Sequence, residues 1–343
     1  MKQIKRVLIR WDKFGEYIYS NTLNKWISIK TFNLQFDNSN GGVWSKYISV
    51  PLTTAPLNDE VYMIVITNSS FEIYAGDHTQ IITDTTSGAY SDFWGSVDNY
   101  GNAIRVFDET YSQIYFWVEK FDYTNKECVL WVKLLSGTNE LNIAYDNSSA
   151  TKSDYCDGTQ VFELFDDFNS LDTSVWGTSG SPAVASSILT VPANSYVYSL
   201  SNFGVGYTLR TFAEYYDSSN NQWVGFEETG YHNTGTNDYL SNIDTDTVNK
   251  VHRVISGNTS GNVSKDLNEF YSGYHIFEIT RLESATVYYI DDTSVYNDTQ
   301  YYSTTLRHVI LTGWTSGMLY IDWVAVIATA HSAEFVEPVI KEM

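Results

Sequence analysis

Short apolar runs separated by polar turn residues extend over almost the whole chain. Val61–Thr67, Ala103–Phe107, Ile114–Phe121 and Cys128–Leu134 are β-prone and rich in aromatic and branched side chains. Farther on, Tyr207–Tyr216 alternates, with Leu209, Thr211, Ala213 and Tyr215 on one face and Arg210 and Glu214 on the other. Tyr274–Leu282 and Met318–Val326 read the same way, and Lys5–Trp11 and Trp26–Phe36 supply β-prone runs near the start. Val248–Ile255 is the kind of short stretch that would take a helix. There is no repeat and no heptad. The pattern predicts an all-β protein.

A chain of 343 residues exceeds one ordinary core and suits two domains of roughly 100–200 residues. The polar segment TKSDYCDGT at 151–159 marks the boundary between them. This divides the chain into a lead-in over 1–40, a β-sandwich over 41–158, a second β domain over 159–332 and a tail over 333–343.

Aromatic residues make up 16% of the chain, with 27 Tyr and 10 Trp, as suits sandwiches and jelly rolls. The net charge of −21 disfavours nucleic acid and anionic lipid as partners. It serves solubility, and would also suit cation binding or a salt-rich habitat. Lys2, Lys5, Arg6, Arg10 and Lys13 reverse the sign locally, against Asp12 alone. They read either as a basic edge strand that resists unwanted pairing or as an arm that docks on an acidic neighbour, including another copy of this chain. Val7 to Ile9 is too short for a secretory h-region of about 7–15 residues, and no run approaches the ~20 apolar residues of a membrane span. Cys128 and Cys156 either close one disulfide or stay as buried thiols. Sequons at Asn68, Asn147, Asn258, Asn262 and Asn297 point weakly to a glycosylated, exposed protein.

Six segments in order resemble one family. They are AIRVFDE (Ala103–Glu109), YFWVE (Tyr115–Glu119), VLWVKL (Val129–Leu134), LNIAYDNSSATKSD (Leu141–Asp154), FELFDDFNSLDTSVW (Phe162–Trp176) and YIDWVAV (Tyr320–Val326). Together they are similar to domain-of-unknown-function family 2341 followed by a concanavalin A-like (laminin-G-like) jelly roll. The resemblance covers about residues 45–335. It departs at Asp146, where the family has Gly, and at Ile327, where it has Arg. It implies an N-terminal β-sandwich and a C-terminal concanavalin-like jelly roll, used in adhesion or glycan contact on bacterial, archaeal and viral surfaces.

The residues permit several chemistries. In FDDF, Phe165 and Phe168 are expected to plug the core, Trp176 to close the edge, and Asp166 and Asp167 to cap a turn. The alternative is a structural Ca²⁺ site, since calcium takes six to eight oxygens and adjacent first and last strands would bring Asp166 or Asp167 near Asp322. For sugar contact, the candidates are Tyr231 with Asn233, Tyr239 with Asn237, and Trp223, for which core filling is the competing role. The opening of the second domain also resembles laminarinase-type glycoside hydrolases, which carry paired carboxylates as ExDxxE on one strand. No Glu here is followed two residues later by Asp, and Glu227 and Glu228, being adjacent, face opposite sides of a strand. The six His are isolated, and nucleotide and serine-hydrolase motifs are absent.

The expectation is therefore a non-catalytic surface-binding or structural protein, with no cofactor beyond structural Ca²⁺. Its partners would be other protein subunits and cell-surface glycans. Lacking an export signal and an anchor, it is expected on a virion (spike, tail fibre, decoration or capsid-associated protein). A host-cell-surface adhesin and a divergent glycoside hydrolase are the alternatives.

Overall fold

The computed structural model describes residues 44–216, 222–228, 240–246, 248–258, 260–313 and 317–342, together with three short strands, Ile9–Asp12, Gly15–Ser20 and Lys25–Ile29. The described residues form an all-β protein of two packed sandwiches.

In the first sandwich, one sheet runs Gln80–Asp84, Phe71–Ala75, Glu60–Ile66, Glu127–Leu134, Phe116–Asp122. The other runs from Lys46–Thr54 through Glu140–Ala144 to Arg105–Phe107. Alternation decides what each strand buries. Tyr62, Ile64, Ile66, Leu130, Val132 and Leu134 meet Ile48, Val50, Val106, Leu141 and Ile143 in one core. The helix Ala89–Ser96 adds Phe93 and Trp94 to it. It escaped the sequence reading because it has eight residues, starts at Gly88 and has no side-chain cap.

The segment 334–342 is no free tail. Glu334–Phe335 and Val339–Glu342 both pair with Lys46–Thr54, and Lys341 bridges to Glu140 at 3.0 Å. The Ser332 and Ala333 amides donate to buried Glu60 at 2.9 and 3.2 Å. The chain leaves the first sandwich, builds the second and returns to complete the sheet it left.

The second sandwich has an eight-stranded sheet centred on Tyr207–Tyr215, between Leu319–Ala328 and Tyr274–Arg281. A seven-stranded sheet lies opposite, in the order Trp176–Ser179, Ser195–Ser199, His308–Gly313, Gln222–Glu227, Leu240–Asp246, Val251–Asn258, Gly261–Asp266. Leu209, Ala213, Tyr215, Val224, Phe226, Ile243 and Leu311 share its core. The opening strand Leu164–Asp166 pairs with Leu319–Ala328, so first and last strands lie side by side as in a concanavalin-like jelly roll. The segment expected as a helix is instead the strand Val251–Asn258, whose Val254 lies in the core while Arg253 pairs outward.

Residues of the opposite parity make a third core between the sandwiches. Val61, Met63, Val129 and Trp131 pack on Phe162, Trp323, Ala325 and Ile327. A β-bulge arranges the far side. Opposite Phe212 and Ala213 the register passes from Trp323 to Ile321, leaving Asp322 as the extra residue. Ile321 therefore faces the inner core, while Trp323 turns into the seam against Trp117 (ring centroids 5.0 Å apart).

One cation joins this seam. Arg210, 1% exposed, donates to both oxygens of Glu119 at 3.0 and 2.7 Å, to Glu278 at 2.8 Å and to Asp292 at 2.7 Å. Glu119 belongs to the first sandwich and the other two acids to the second. The Trp131 indole also donates to Glu119 at 2.7 Å. Removing one member of a buried charge group leaves the others unpaired, at a cost of about 3–5 kcal/mol. Arg210→Met is expected to lower stability by that order in urea unfolding. An unchanged midpoint would mean that the seam does not depend on this cation.

Candidate functional site

The seven-stranded sheet has one face in the core and one turned away from it. Along Gln222–Glu227, Val224 and Phe226 point inward, so Trp223, Gly225 and Glu227 share the outer face. The ladder extends that face sideways. Trp223 lies opposite Thr312 and Asp244, Gly225 opposite Ile310 and Asn242, and Glu227 opposite His308. Tyr196 and Tyr198 continue it beyond Thr312 and Ile310, and Arg253 continues it beyond Asp244. Trp223 is thus a residue of the outer face, and its neighbours fill the core instead.

The face combines rings with short polar groups. Tyr196 and Tyr198 have centroids 6.1 Å apart, and the His308 ring stands edge-on to Tyr198 at 5.7 Å. Arg253 grips Asp244 with Nε and Nη2 together. At the centre, Gly225 lets the neighbouring strand come close, since an added Cβ would lie within 2.0 Å of Asn242 Oδ1 and 2.4 Å of the Ser241 carbonyl. Around it, Glu227 Oε2, Asn242 Oδ1 and Thr312 Oγ1 are buried without a hydrogen-bond partner among the described residues. Buried polar atoms without partners are rare and call for an explanation.

Glu227 is 4% exposed. Burial pushes its carboxyl up to about 8, against the opposing pull of the Trp223 indole and the Arg307 guanidinium. At neutral pH it is a carboxylic acid, able to donate as well as accept. It is the one carboxylate on its face of this strand. Asp244 lies opposite Trp223, four residues along, ~13 Å by strand rise, and Arg253 holds it. Retaining glycosidases need two carboxyls about 5–5.5 Å apart, a spacing this register does not supply.

Residues 100–179 match the domain of unknown function DUF2341. The matched segment runs from Arg105–Phe107 across the boundary to Trp176, so DUF2341 includes Glu119, Trp131 and Phe165 of the seam. No curated protein matches the chain. Similar solved structures include a β-1,3-1,4-glucanase (lichenase) from a mouse hindgut metagenome, at 13% identity and TM-score 0.41, covering 48% of this chain and 98% of that one. The Bacillus licheniformis β-glucanase is 13% identical with TM-score 0.40, covering 48% and 97%. A Mycobacterium tuberculosis immunostimulatory antigen described as a pseudo β-1,3-glucanase is 12% identical with TM-score 0.39, covering 49% and 99%.

The other sequence candidates fall elsewhere. Tyr231, Asn233, Asn237 and Tyr239 lie outside the described residues, as do Lys2, Lys5, Arg6 and Lys13. Arg10 is in the strand Ile9–Asp12. The calcium candidates do not form a ligand set, and among the described residues no group of three or more His, Cys, Asp or Glu could hold a metal ion. Asp166 works as a turn cap, with Oδ1 accepting from the Phe168 amide at 2.7 Å and Oδ2 from the Trp176 indole at 2.7 Å. Phe168 and Trp176 enter the second core, whereas Phe165 goes to the seam. Asp322 is the bulge residue, its carboxyl raised by burial and by Asp167. Cys128 and Cys156 are free thiols, and burial raises both. Among the described residues no helix is long and apolar enough to cross a membrane.

The sequence analysis missed Asn242 and Thr312 and used Glu227 only to argue against catalysis. The signal was the alternation in WVGFE, which puts an indole and a carboxyl on one face of a strand, with a glycine between them where the neighbouring strand comes close. A carboxyl raised from the ordinary range of Glu to about 8 sets a sign for stability. Its buried neutral form is stable below the unfolded value, and stability is lost as pH rises towards 8. Calorimetry at pH 5 and pH 8 should show the wild type losing more melting temperature between the two than Glu227→Gln. Equal losses would contradict the buried acid.

Proposed function

We propose that this protein is a non-catalytic carbohydrate-binding module whose ligand lies across the outer face of the seven-stranded sheet. The observation that carries the reading is a set of three buried polar atoms, on Glu227, Asn242 and Thr312 of three adjacent strands, that have no partner among the described residues. Trp223, Tyr196 and Tyr198 flank it. Sugars stack their C–H faces on such rings and exchange hydrogen bonds with amides, hydroxyls and carboxyls. With a lone neutral carboxyl at Glu227 and Asp244 tied to Arg253, the arrangement favours holding a sugar over cleaving one.

In this reading the contact partner is a cell-surface or matrix glycan.

Affinity electrophoresis through gels containing neutral or acidic polysaccharides tests the proposal. The wild type should be retarded by at least one neutral polysaccharide. Thr312→Val, which removes one of the three polar atoms, and Trp223→Ala should each weaken retardation about tenfold or more, and no reducing ends should appear. Retardation untouched by both variants would move the ligand off this face. Release of reducing ends that stops in Glu227→Gln would make the protein a hydrolase.

A further inference from the structure

We propose that the seam between the two sandwiches is a proton-operated latch, and that His78 is its titrating part. His78 sits in the turn joining Phe71–Ala75 to Gln80–Asp84, at the tip of the first sandwich. Its φ of 64° lies in the left-handed region, which costs a non-glycine residue on the order of 1 kcal/mol. The turn is held there by the His78 amide on the Ala75 carbonyl (3.1 Å) and the Thr79 amide on Asp77 Oδ1 (3.0 Å). It is also pressed into the second sandwich. The Thr208 hydroxyl donates to the Gly76 carbonyl at 3.0 Å, and a Cβ on Gly76 would approach the Ala328 carbonyl to 2.6 Å. Strain that surrounding contacts maintain is a pointer to function.

What the strained turn delivers is an imidazole to a buried acid. His78 Nε2 lies 2.7 Å from Glu278 Oε1, with the two side chains 11% and 1% exposed. The ring stacks on Tyr289 at 4.7 Å and 19°. The other oxygen of Glu278 accepts from Arg210, which also binds Asp292 and reaches across to Glu119. The groups facing His78 are thus Glu278 from its strand, Arg210 from the neighbouring strand, and Asp292 and Tyr289 from the Thr286–Ile290 hairpin. Asp77 comes from its own turn, while Tyr74 and Lys120 lie beside Asp292. Glu119, Glu278 and Asp292 outnumber Arg210 by three charges to one, so the cluster carries one net negative charge with a proton on His78 and two without it.

The direction follows. Burial alone would lower the imidazole's affinity for a proton, but Glu278 outweighs it and holds the proton above the ordinary histidine range. The latch is fully engaged below the unfolded histidine value and released as pH rises through the folded one. In that window Glu278, held low by His78 and Arg210 despite burial, and the half-exposed Asp292, held low by Arg210, stay ionised. Tyr289, pushed up to about 12, stays neutral. Histidine is the group able to act there.

Calorimetry of the full chain from pH 6 to pH 9 tests this. At pH 6 the docked sandwiches should unfold in one transition. By pH 9 the first sandwich should separate into an earlier one, with a population of undocked seam roughly tenfold higher for each unit by which the histidine is raised. His78→Gln, which keeps a hydrogen-bonding side chain without a proton to lose, should unfold with the same number of transitions at both pH values. A single transition throughout in the wild type, or the same pH-dependent splitting in His78→Gln, would overturn the latch. Histidine C2 deuterium exchange on the wild type needs no variant. A midpoint for His78 above 6.5 supports the proposal and one at or below it sinks it.

Discussion

The relation between the two sandwiches depends on a guanidinium buried among carboxylates from both. A charge taken out of water is tolerated only when its hydrogen-bonding capacity is met. Arg210 meets it by gathering Glu119 from one sandwich and Glu278 and Asp292 from the other. That condition orders much else. Glu119 must sit where it also receives the Trp131 indole. The Thr286–Ile290 hairpin must bring Asp292 over the sheet, at φ 61°. The first sandwich must also approach closely enough that Gly76 has no room for a side chain. Apolar packing of Trp117, Phe162 and Trp323 makes the seam adhesive, and the charge cluster gives it one register.

This division of labour leaves the two outer faces of the second sandwich with different fates. The eight-stranded sheet gives its outer face to the first sandwich, through Arg210, Trp323, Ala325 and Ile327. The seven-stranded sheet does not pack its outer face on that partner, and there the sequence places rings, an amide and a buried acid beside Ile310 and Ile255. A sheet face free of the seam and populated in that way is where a ligand has something to replace.

Period-two alternation made the inner cores readable. Leu209, Ala213 and Tyr215 are in the second core, and Phe168 joins them as the FDDF segment implied, together with Trp176, which was expected at the edge. The same alternation misled wherever an outward face was buried by something far away in sequence. Arg210 reads as a solvent residue because its partner Glu119 is 91 residues distant. The bulge at Asp322 has no local signature either, yet it decides that Trp323 faces the seam and Ile321 the core. The segment after residue 333 looked like a tail because two and four residues of strand carry too little periodicity to declare themselves. Of the candidate site, Trp223 was visible as an aromatic but its face was not. Which side of a strand is outside depends on which neighbours reach the core, and that is settled by Val224 and Phe226 meeting residues such as Tyr215 and Leu311.

The extent of the DUF2341 match gains a physical meaning from this. Residues 100–179 fall short of a whole sandwich on either side. They omit Lys46–Thr54 and Glu60–Ile66 of the first and nearly all of the second. What they contain is the strand pair bearing Glu119, Trp117 and Trp131, the crossing segment, and Phe162 and Phe165 beyond it. Those residues form one half of the seam and the hinge that leads into it. A segment of that composition cannot bury its own apolar face, because Trp117 and Trp131 point away from the first core. It requires a second sheet set against it, and here the Tyr207–Tyr215 and Leu319–Ala328 strands supply one with Arg210 and Trp323. The unit of structure around DUF2341 is therefore the docked pair of sandwiches, and the ligand face proposed above is carried on the sheet that the docking leaves free.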